Sequence, residues 1–367
     1  MIAIVGGGLP GLAAAARLAR VGHRVVVLER LADLGRSIEV ATEPGGTVLT
    51  LPAAWRDLFR KSGRPLAGVL NGAGLELAPA PPRSHRLADG SVLDLPDDRG
   101  AQWATLLDAF GEQTAVAWRN LVDECDEAWL ALRPLGLEAE FAGRLRATDR
   151  AALQPRRSLF ALAGRVPPLE GLVLDVAARL GQDPRRLPGW HAFRLGLERT
   201  FGRWHLVDAG GTPQPASRLV GLLADRLVAR GVEVRTSTQV LAIRPERDGF
   251  RVQTDAGPLT ADLVISTVDP FEHADLTRER TDVRIARRLL PAPGGGPRWE
   301  SWRTLLDLPR LQPSRPGVLV ASAWSPGGPD SWGQLLTGAL AAYRAHELLT
   351  GEDMRPTNKA YRFRPGR

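Results

Sequence analysis

The sequence predicts an α/β fold organised around a Rossmann-like nucleotide-binding unit. Three observations predict it. The N-terminal segment alternates strand, helix and strand, with glycines at the junctions. Far downstream, near residue 263, another short run of Leu, Val and Ile has the look of a strand buried on both faces. The 367 residues between and around these features suffice for about two domains.

The N-terminal element is the most informative. Residues 2–5 are an apolar strand. Gly6, Gly8 and Gly11 then form a GxGxxG pattern, with Leu9 and Pro10 inside it. Residues 12–21 are an alanine-rich helix that Gly22 stops. Residues 25–28 read as a second buried strand, and Glu29 closes it. This is a dinucleotide fingerprint in its required context. Gly6 allows the tight turn, Gly8 lets a pyrophosphate approach the backbone, and Gly11 lets helix and strand pack closely. The free N–H groups at the helix start face the phosphates. Glu29 is placed to accept hydrogen bonds from ribose hydroxyls.

Composition removes several classes. Hydrophobic residues are 44% and charged residues 24%, so the chain is globular. No apolar run is long enough to span a membrane. Glycines interrupt the N-terminus where a signal peptide would be continuously apolar. Cys125 is the only cysteine, which excludes an intrachain disulfide and a CxxC pair, and a cytoplasmic protein is expected. The formal charge is +7, yet all but two of the 48 basic residues are arginines scattered along the chain. No nucleic-acid footprint is expected from that pattern.

The later segments extend the fold. Residues 215–230 form an amphipathic helix ended by Gly231. Strands follow at 232–235, 239–244, 250–254 and 259–261, a β-meander, and residues 262–267 return as a buried strand. A last strand, 318–320, precedes a helix over 331–349. The stretch from 76 to 204 is mostly helical, with helices expected at 101–110, 113–132, 150–163 and 169–180.

Several landmarks carry a family resemblance. Arg30-Leu31-Ala32-Asp33-Leu34-Gly35-Arg36 is similar to the segment after the second strand in two-dinucleotide-fold flavoproteins, one glycine short. The run from Gly46 through Thr47, Thr50 and Pro52 to Phe59 resembles a stretch of bacterial phytoene desaturases. His85 to Gly90, and Phe201-Gly202-Arg203-Trp204 with Gly210-Gly211, resemble two further segments of theirs. The chain therefore resembles the phytoene desaturase-like branch of the flavin amine oxidase superfamily.

That resemblance implies noncovalent FAD. It implies a discontinuous FAD domain at 1–75, 205–270 and 317–350, in which a parallel sheet is joined by the meander. A reduced α+β substrate domain at 76–204 and 271–316 would be inserted into it, and a basic tail, 351–367, would follow. It gives cofactor roles to Gly6, Gly8, Leu9, Pro10, Gly11, Glu29, Arg30 and Arg36. Thr47 and Thr50 lie near the isoalloxazine by analogy, and Val240 meets adenine through its backbone. Gly327 and Gly328 belong to the turn before the helix that faces the flavin. Two departures stand out. Ser322 and Ala323 replace the region of an acid that binds ribitol in the family, and segment 271–317 is distinctly shorter than in phytoene desaturases.

Side-chain chemistry is sparse, as a flavin enzyme permits. No triad and no metal-ligand spacing occurs. Cys125 sits among acids, which raise a thiol pKa. Gly72-Ala73-Gly74 reads as a turn, so a second nucleotide site for NAD(P)H is not expected. Trp118 and Trp129 read as core residues. Three functions remain open: an FAD-dependent dehydrogenase or oxidase for a small apolar, isoprenoid-like substrate; a flavin amine oxidase; and a non-catalytic relative. The basic balance would favour peripheral contact with anionic lipid.

Overall fold

The computed structural model describes residues 1–35, 42–43, 46–87, 89–278, 290–293, 296–312 and 315–355. β1 (Ile2–Val5), α1 (Leu9–Arg20) and β2 (Val25–Leu28) form the expected βαβ unit. β3 (Thr42–Glu43) and β4 (Gly46–Thr50) follow, then α2 (Pro52–Lys61) and α3 (Leu66–Gly72). Gly74 takes a φ of +67° just beyond α3, so the Gly72-Ala73-Gly74 run is a helix stop. β5 (Leu75–Pro79) leads to an antiparallel hairpin of β6 (Arg83–Arg86) and β7 (Val92–Leu95).

The helical stretch differs from expectation at one break. α4 (Arg99–Leu132) is two helical arms that meet at Gly111, whose φ of 80° and ψ of 174° leave the helical region. The two helices expected at 101–110 and 113–132 are its two arms. The single helix expected over 150–163 is instead α5 (Ala147–Leu153) and α6 (Leu159–Ala163). Pro155 disfavours helical geometry at Gln154, which turns left-handed at φ 43°. Ser158 then starts α6 by accepting a hydrogen bond from the Ala161 N–H at 3.2 Å. α7 (Glu170–Arg179) and α8 (Phe193–Phe201) complete the stretch.

β8 (Arg203–Asp208) and α9 (Ser217–Ala229) come next, followed by β9 (Glu233–Arg235). β10 (Val240–Glu246), β11 (Gly249–Thr254) and β12 (Gly257–Ala261) make the antiparallel meander. β13 (Leu263–Ser266), α10 (Pro270–Thr277), α11 (Thr304–Asp307), β14 (Val318–Val320) and α12 (Ser331–Thr350) end the described chain. Residues 279–289 of the second substrate-domain piece lie outside the described residues, as does 356–367 of the basic tail.

The central sheet is parallel in the order β14-β13-β1-β2-β9. Alternation along β1 sets the layers. Ile2 and Ile4 join the core against α1, α9 and α12, whereas Ala3 and Val5 join Val240, Ile243 and Val252 of the meander. α1 is covered almost all round, and this needs close approach. A Cβ on Gly338 of α12 would lie 2.2 Å from the Pro10 carbonyl oxygen. A second sheet, β3-β4-β8-β5, and the helices α4–α8 lie beside this unit in sequence and packing. Trp118 and Trp129 are buried in that core, as expected, and the Trp118 indole N–H donates to Gln102 Oε1 at 3.2 Å. Among the described residues, no helix is long and apolar enough to cross a membrane.

Cys125 on α4 is buried, and its thiol pKa is raised first by that burial and only then by Asp126 and Glu124. The acids next to it in sequence are thus the lesser cause. A thiol-specific reagent is expected to leave the native protein unlabelled and to label it fully in denaturant. Cys125→Ser should keep ligand binding and cost about 1–2 kcal/mol, the usual cost of burying an ill-matched hydroxyl. Rapid labelling of native protein would contradict this.

A second titratable contact lies at the far end of α12. His23 Nε2 sits 2.9 Å from His346 Nδ1, with the rings edge to face. Burial, then His346, lowers the His23 pKa from 6.5. The unfolded chain therefore binds the proton first. This contribution to stability is complete above pH 6.5 and is lost as pH falls through the lowered folded value. Urea midpoints should fall on acidification below that pH, and less steeply in His23→Asn. Identical slopes would show that the pair does not matter.

Candidate functional site

A cleft of about 310 Å³ opens at the carboxyl edge of the parallel sheet, at the ends of β1 and β2. Such edges are where open α/β sheets bind ligands. The chain leaves β1 through Gly6, at φ +104°, whose N–H donates to the Leu28 carbonyl at 2.8 Å. A Cβ on Gly6 would meet Thr267 Oγ1 at 2.4 Å, and one on Gly11 would meet the Gly6 carbonyl oxygen at 2.2 Å. Both glycines are therefore required by close packing. Gly8 has another basis. Its φ of −71° and ψ of 175° suit any residue, and it stands at the N-cap of α1, where no side chain caps the helix. The uncapped first turn leaves N–H groups at the cleft, a ready anion site.

Glu29 closes the other wall. Its Oε2 accepts from the Gly7 N–H at 2.6 Å and its Oε1 from the Leu31 N–H at 2.9 Å. Both bonds hold the carboxylate beside the glycine turn. Arg30 donates to Glu272 across the rim, at 3.2 and 3.4 Å. Burial raises the Glu272 pKa, an effect that Arg30 opposes. Asp269 caps α10, accepting from the N–H groups of Phe271 and Glu272 at 2.8 and 3.0 Å. Trp324, edge to face with Phe271 at 5.8 Å, and Gln334 from the first turn of α12 line the remaining side.

Of the residues singled out from sequence, Gly6, Gly8, Pro10, Glu29, Arg30 and Val240 line this cleft together. Leu9 and Gly11 lie buried in the layer beneath it. Thr47 and Thr50 are on β4, where Thr50 pairs with Arg203 of β8, and they do not line the cleft. Gly327 and Gly328 form a turn behind the lining residues rather than part of them. Arg36 lies outside the described residues. Sequence reasoning passed over Thr238, Thr267, Asp269, Glu272, Trp324 and Gln334. The signal for three of them was the run Thr267-Val268-Asp269-Pro270-Phe271-Glu272 directly after a buried strand, since strand ends at this edge line the site. Among the described residues, no three His, Cys, Asp or Glu side chains converge to hold a metal ion.

The arrangement fits a dinucleotide. It offers uncapped N–H groups for phosphates, a held carboxylate for ribose hydroxyls and the start of the meander at Val240 for a base. Comparison with known proteins agrees. The profile of the NAD(P)-binding Rossmann-like domain matches residues 4–66. Over 230 residues the chain is 34% identical to a hydroxyneurosporene desaturase of Cereibacter sphaeroides, covering 60% of this chain and 42% of that protein. It is 27% identical over 292 residues to a neurosporene-forming phytoene desaturase of the same organism, covering 72% and 52%. A 4,4'-diapolycopene oxygenase of Methylomonas is 25% identical over 319 residues, covering 80% and 61%. The chain thus spans roughly half the length of these relatives. Among solved structures, cyclohexylamine oxidase from Brevibacterium oxydans superposes with a TM-score of 0.59 at 14% identity, covering 95% of this chain and 99% of that one. A putrescine oxidase gives 0.52 at 19% identity, covering 78% and 63%. The fold is shared with these oxidases, and the sequence is similar to carotenoid desaturases.

Proposed function

We propose that the chain is an FAD-dependent oxidoreductase of the phytoene desaturase-like type. The carrying observation is the cleft itself: an uncapped glycine turn, the held Glu29 and Val240 meet at the carboxyl edge of a parallel sheet. In this reading Gly6, Gly8, Leu9, Pro10 and Gly11 hold the pyrophosphate, Glu29 the ribose and the Val240 backbone the adenine. Arg30 and Arg36 complete that end, while Thr47, Thr50, Gly327 and Gly328 flank the isoalloxazine. Bound flavin would supply two-electron chemistry, accepting a hydride equivalent from a substrate C–H bond. The chain's own part is to orient the substrate and exclude water.

The FAD domain would comprise 1–75, 205–270 and 317–350, and the substrate domain 76–204 and 271–316. Every strand of the parallel sheet falls in the first set, which supports this division. The relatives named as carotenoid desaturases support an apolar, isoprenoid substrate. The short segment 271–317 favours one smaller than a forty-carbon precursor, met at the surface of anionic lipid from the cytoplasm. The test is the visible spectrum of the purified protein, then FAD titration, then bleaching by candidate substrates. Absence of flavin bands together with no quenching of added FAD would overturn the reading. Efficient conversion of liposomal phytoene to lycopene would overturn the size limit alone.

A further inference from the structure

The turn behind the cleft is held by a buried arginine from the helical stretch. Arg194, on α8, is 5% exposed. Its Nε and Nη2 donate to Asp330 Oδ2 at 2.9 and 2.5 Å, and Nη2 also donates to the Gly327 carbonyl at 3.3 Å. Nη1 lies 3.0 Å from His191 Nδ1, and the guanidinium lies over the Phe193 ring at 4.6 Å. A nitrogen that accepts from arginine carries no proton, so His191 is neutral. Burial and the nearby Arg194 charge favour that form. The His191 ring is packed edge to face on Trp299, with centroids 4.5 Å apart.

Asp330 is the N-cap residue of α12, yet its side chain makes no capping bond, and its Oδ2 instead accepts both hydrogen bonds from Arg194. The turn folds back tightly on the same helix: a Cβ on Gly327 would come within 2.7 Å of the Gly333 Cα. On one side of this turn lies Trp324 and on the other Gln334, both lining the cleft. Gln334 reaches back to the Pro329 carbonyl at 2.7 Å. The turn therefore joins two parts of the cleft wall, and Arg194 pins it.

We infer that Arg194 is a positioning residue for the cofactor cleft: through Asp330 and Gly327 it fixes the turn that sets Trp324 and Gln334, and so tunes flavin affinity from the helical stretch. The inference rests on the flavin reading above. Removing the guanidinium leaves a three-quarters-buried carboxylate without its counter-ion, which the turn can relieve only by moving toward water.

The test compares wild type with Arg194→Met, Arg194→Lys, Asp330→Asn and the double variant Arg194→Met/Asp330→Asn. Amide hydrogen exchange over 322–334 is read without added flavin, and the FAD Kd is read by flavin fluorescence quenching. Arg194→Met should speed exchange in that segment and weaken FAD by about tenfold or more. Arg194→Lys should recover part of both. The double variant should be no worse than the worse single, since the pair acts as a unit. Unchanged exchange, an unchanged Kd or fully additive losses would overturn the inference. Should Arg194→Met not fold, Asp330→Asn, close to Asp in size, carries the same two measurements. If wild type binds no FAD while exchange responds as expected, the flavin reading fails and the claim of tuned affinity fails with it. If wild type and Arg194→Met bind FAD equally, the flavin reading stands and this inference does not.

Discussion

Gly8→Asp should fold as well as wild type and bind no flavin. The backbone at Gly8 is extended, so a side chain there meets no conformational penalty. An aspartate at an N-cap even stabilises a helix slightly over glycine, by about a few tenths of a kcal/mol. The same carboxylate, however, takes up the N–H groups of the first turn and sets a negative charge where phosphates must come. Two unit charges about 4 Å apart at an effective dielectric of about 20 repel by roughly 4 kcal/mol, enough to lower affinity about a thousandfold. Thermal melting and FAD titration of one preparation separate the two effects. Near-normal affinity in Gly8→Asp would mean that the phosphates lie elsewhere.

Gly338→Ala should act in the opposite manner, through the fold. The added Cβ would stand 2.2 Å from the Pro10 carbonyl oxygen and 2.9 Å from the Pro10 carbonyl carbon and Cα. All three are backbone atoms of the first turn of α1, so no side chain can swing away. The helices α1 and α12 must part, loosening the packing of Leu9, Ala13 and Ala341. Overpacking of this kind costs about 1–3 kcal/mol or more, while alanine's helix preference returns only about 1 kcal/mol. Urea unfolding should show a clear net loss. Because Pro10 lines the cleft, FAD binding should weaken as well. An unchanged midpoint would show that the helices separate at no cost.

What the sequence disclosed, and what it hid, follows from how local each feature is. The βαβ unit was legible because Gly6, Gly8, Gly11 and Glu29 lie within one short stretch whose spacing has a physical purpose. The meander was legible for the same reason, as turns at Gly249 and Gly257 separate alternating strands. The break between α5 and α6 was also written locally, in Pro155, but the apolar periodicity of 150–163 masks it. The remaining cleft wall was not legible. Trp324 and Gln334 reach Gly8 only because β14 adds to β13 and α12 lies on α1, pairings that no local pattern encodes. Arg194 and Asp330 are 136 positions apart, and nothing in either segment announces the other.

The burial of α1 has a consequence for how the chain is made. Residues 9–18 are synthesised more than 300 residues before α12, which supplies part of their cover. While the ribosome is still translating the helical stretch, Leu9, Leu12 and the alanines between Ala13 and Ala16 lack that cover. Strand β1 likewise waits for β13, more than 250 residues downstream, before its second edge is filled. Closure of so long a loop is slow and leaves apolar surface open to wrong partners in the meantime. Nascent chains arrested before residue 330 should therefore be held by chaperones or be cut by protease within α1, and release should come only once α12 has cleared the exit tunnel.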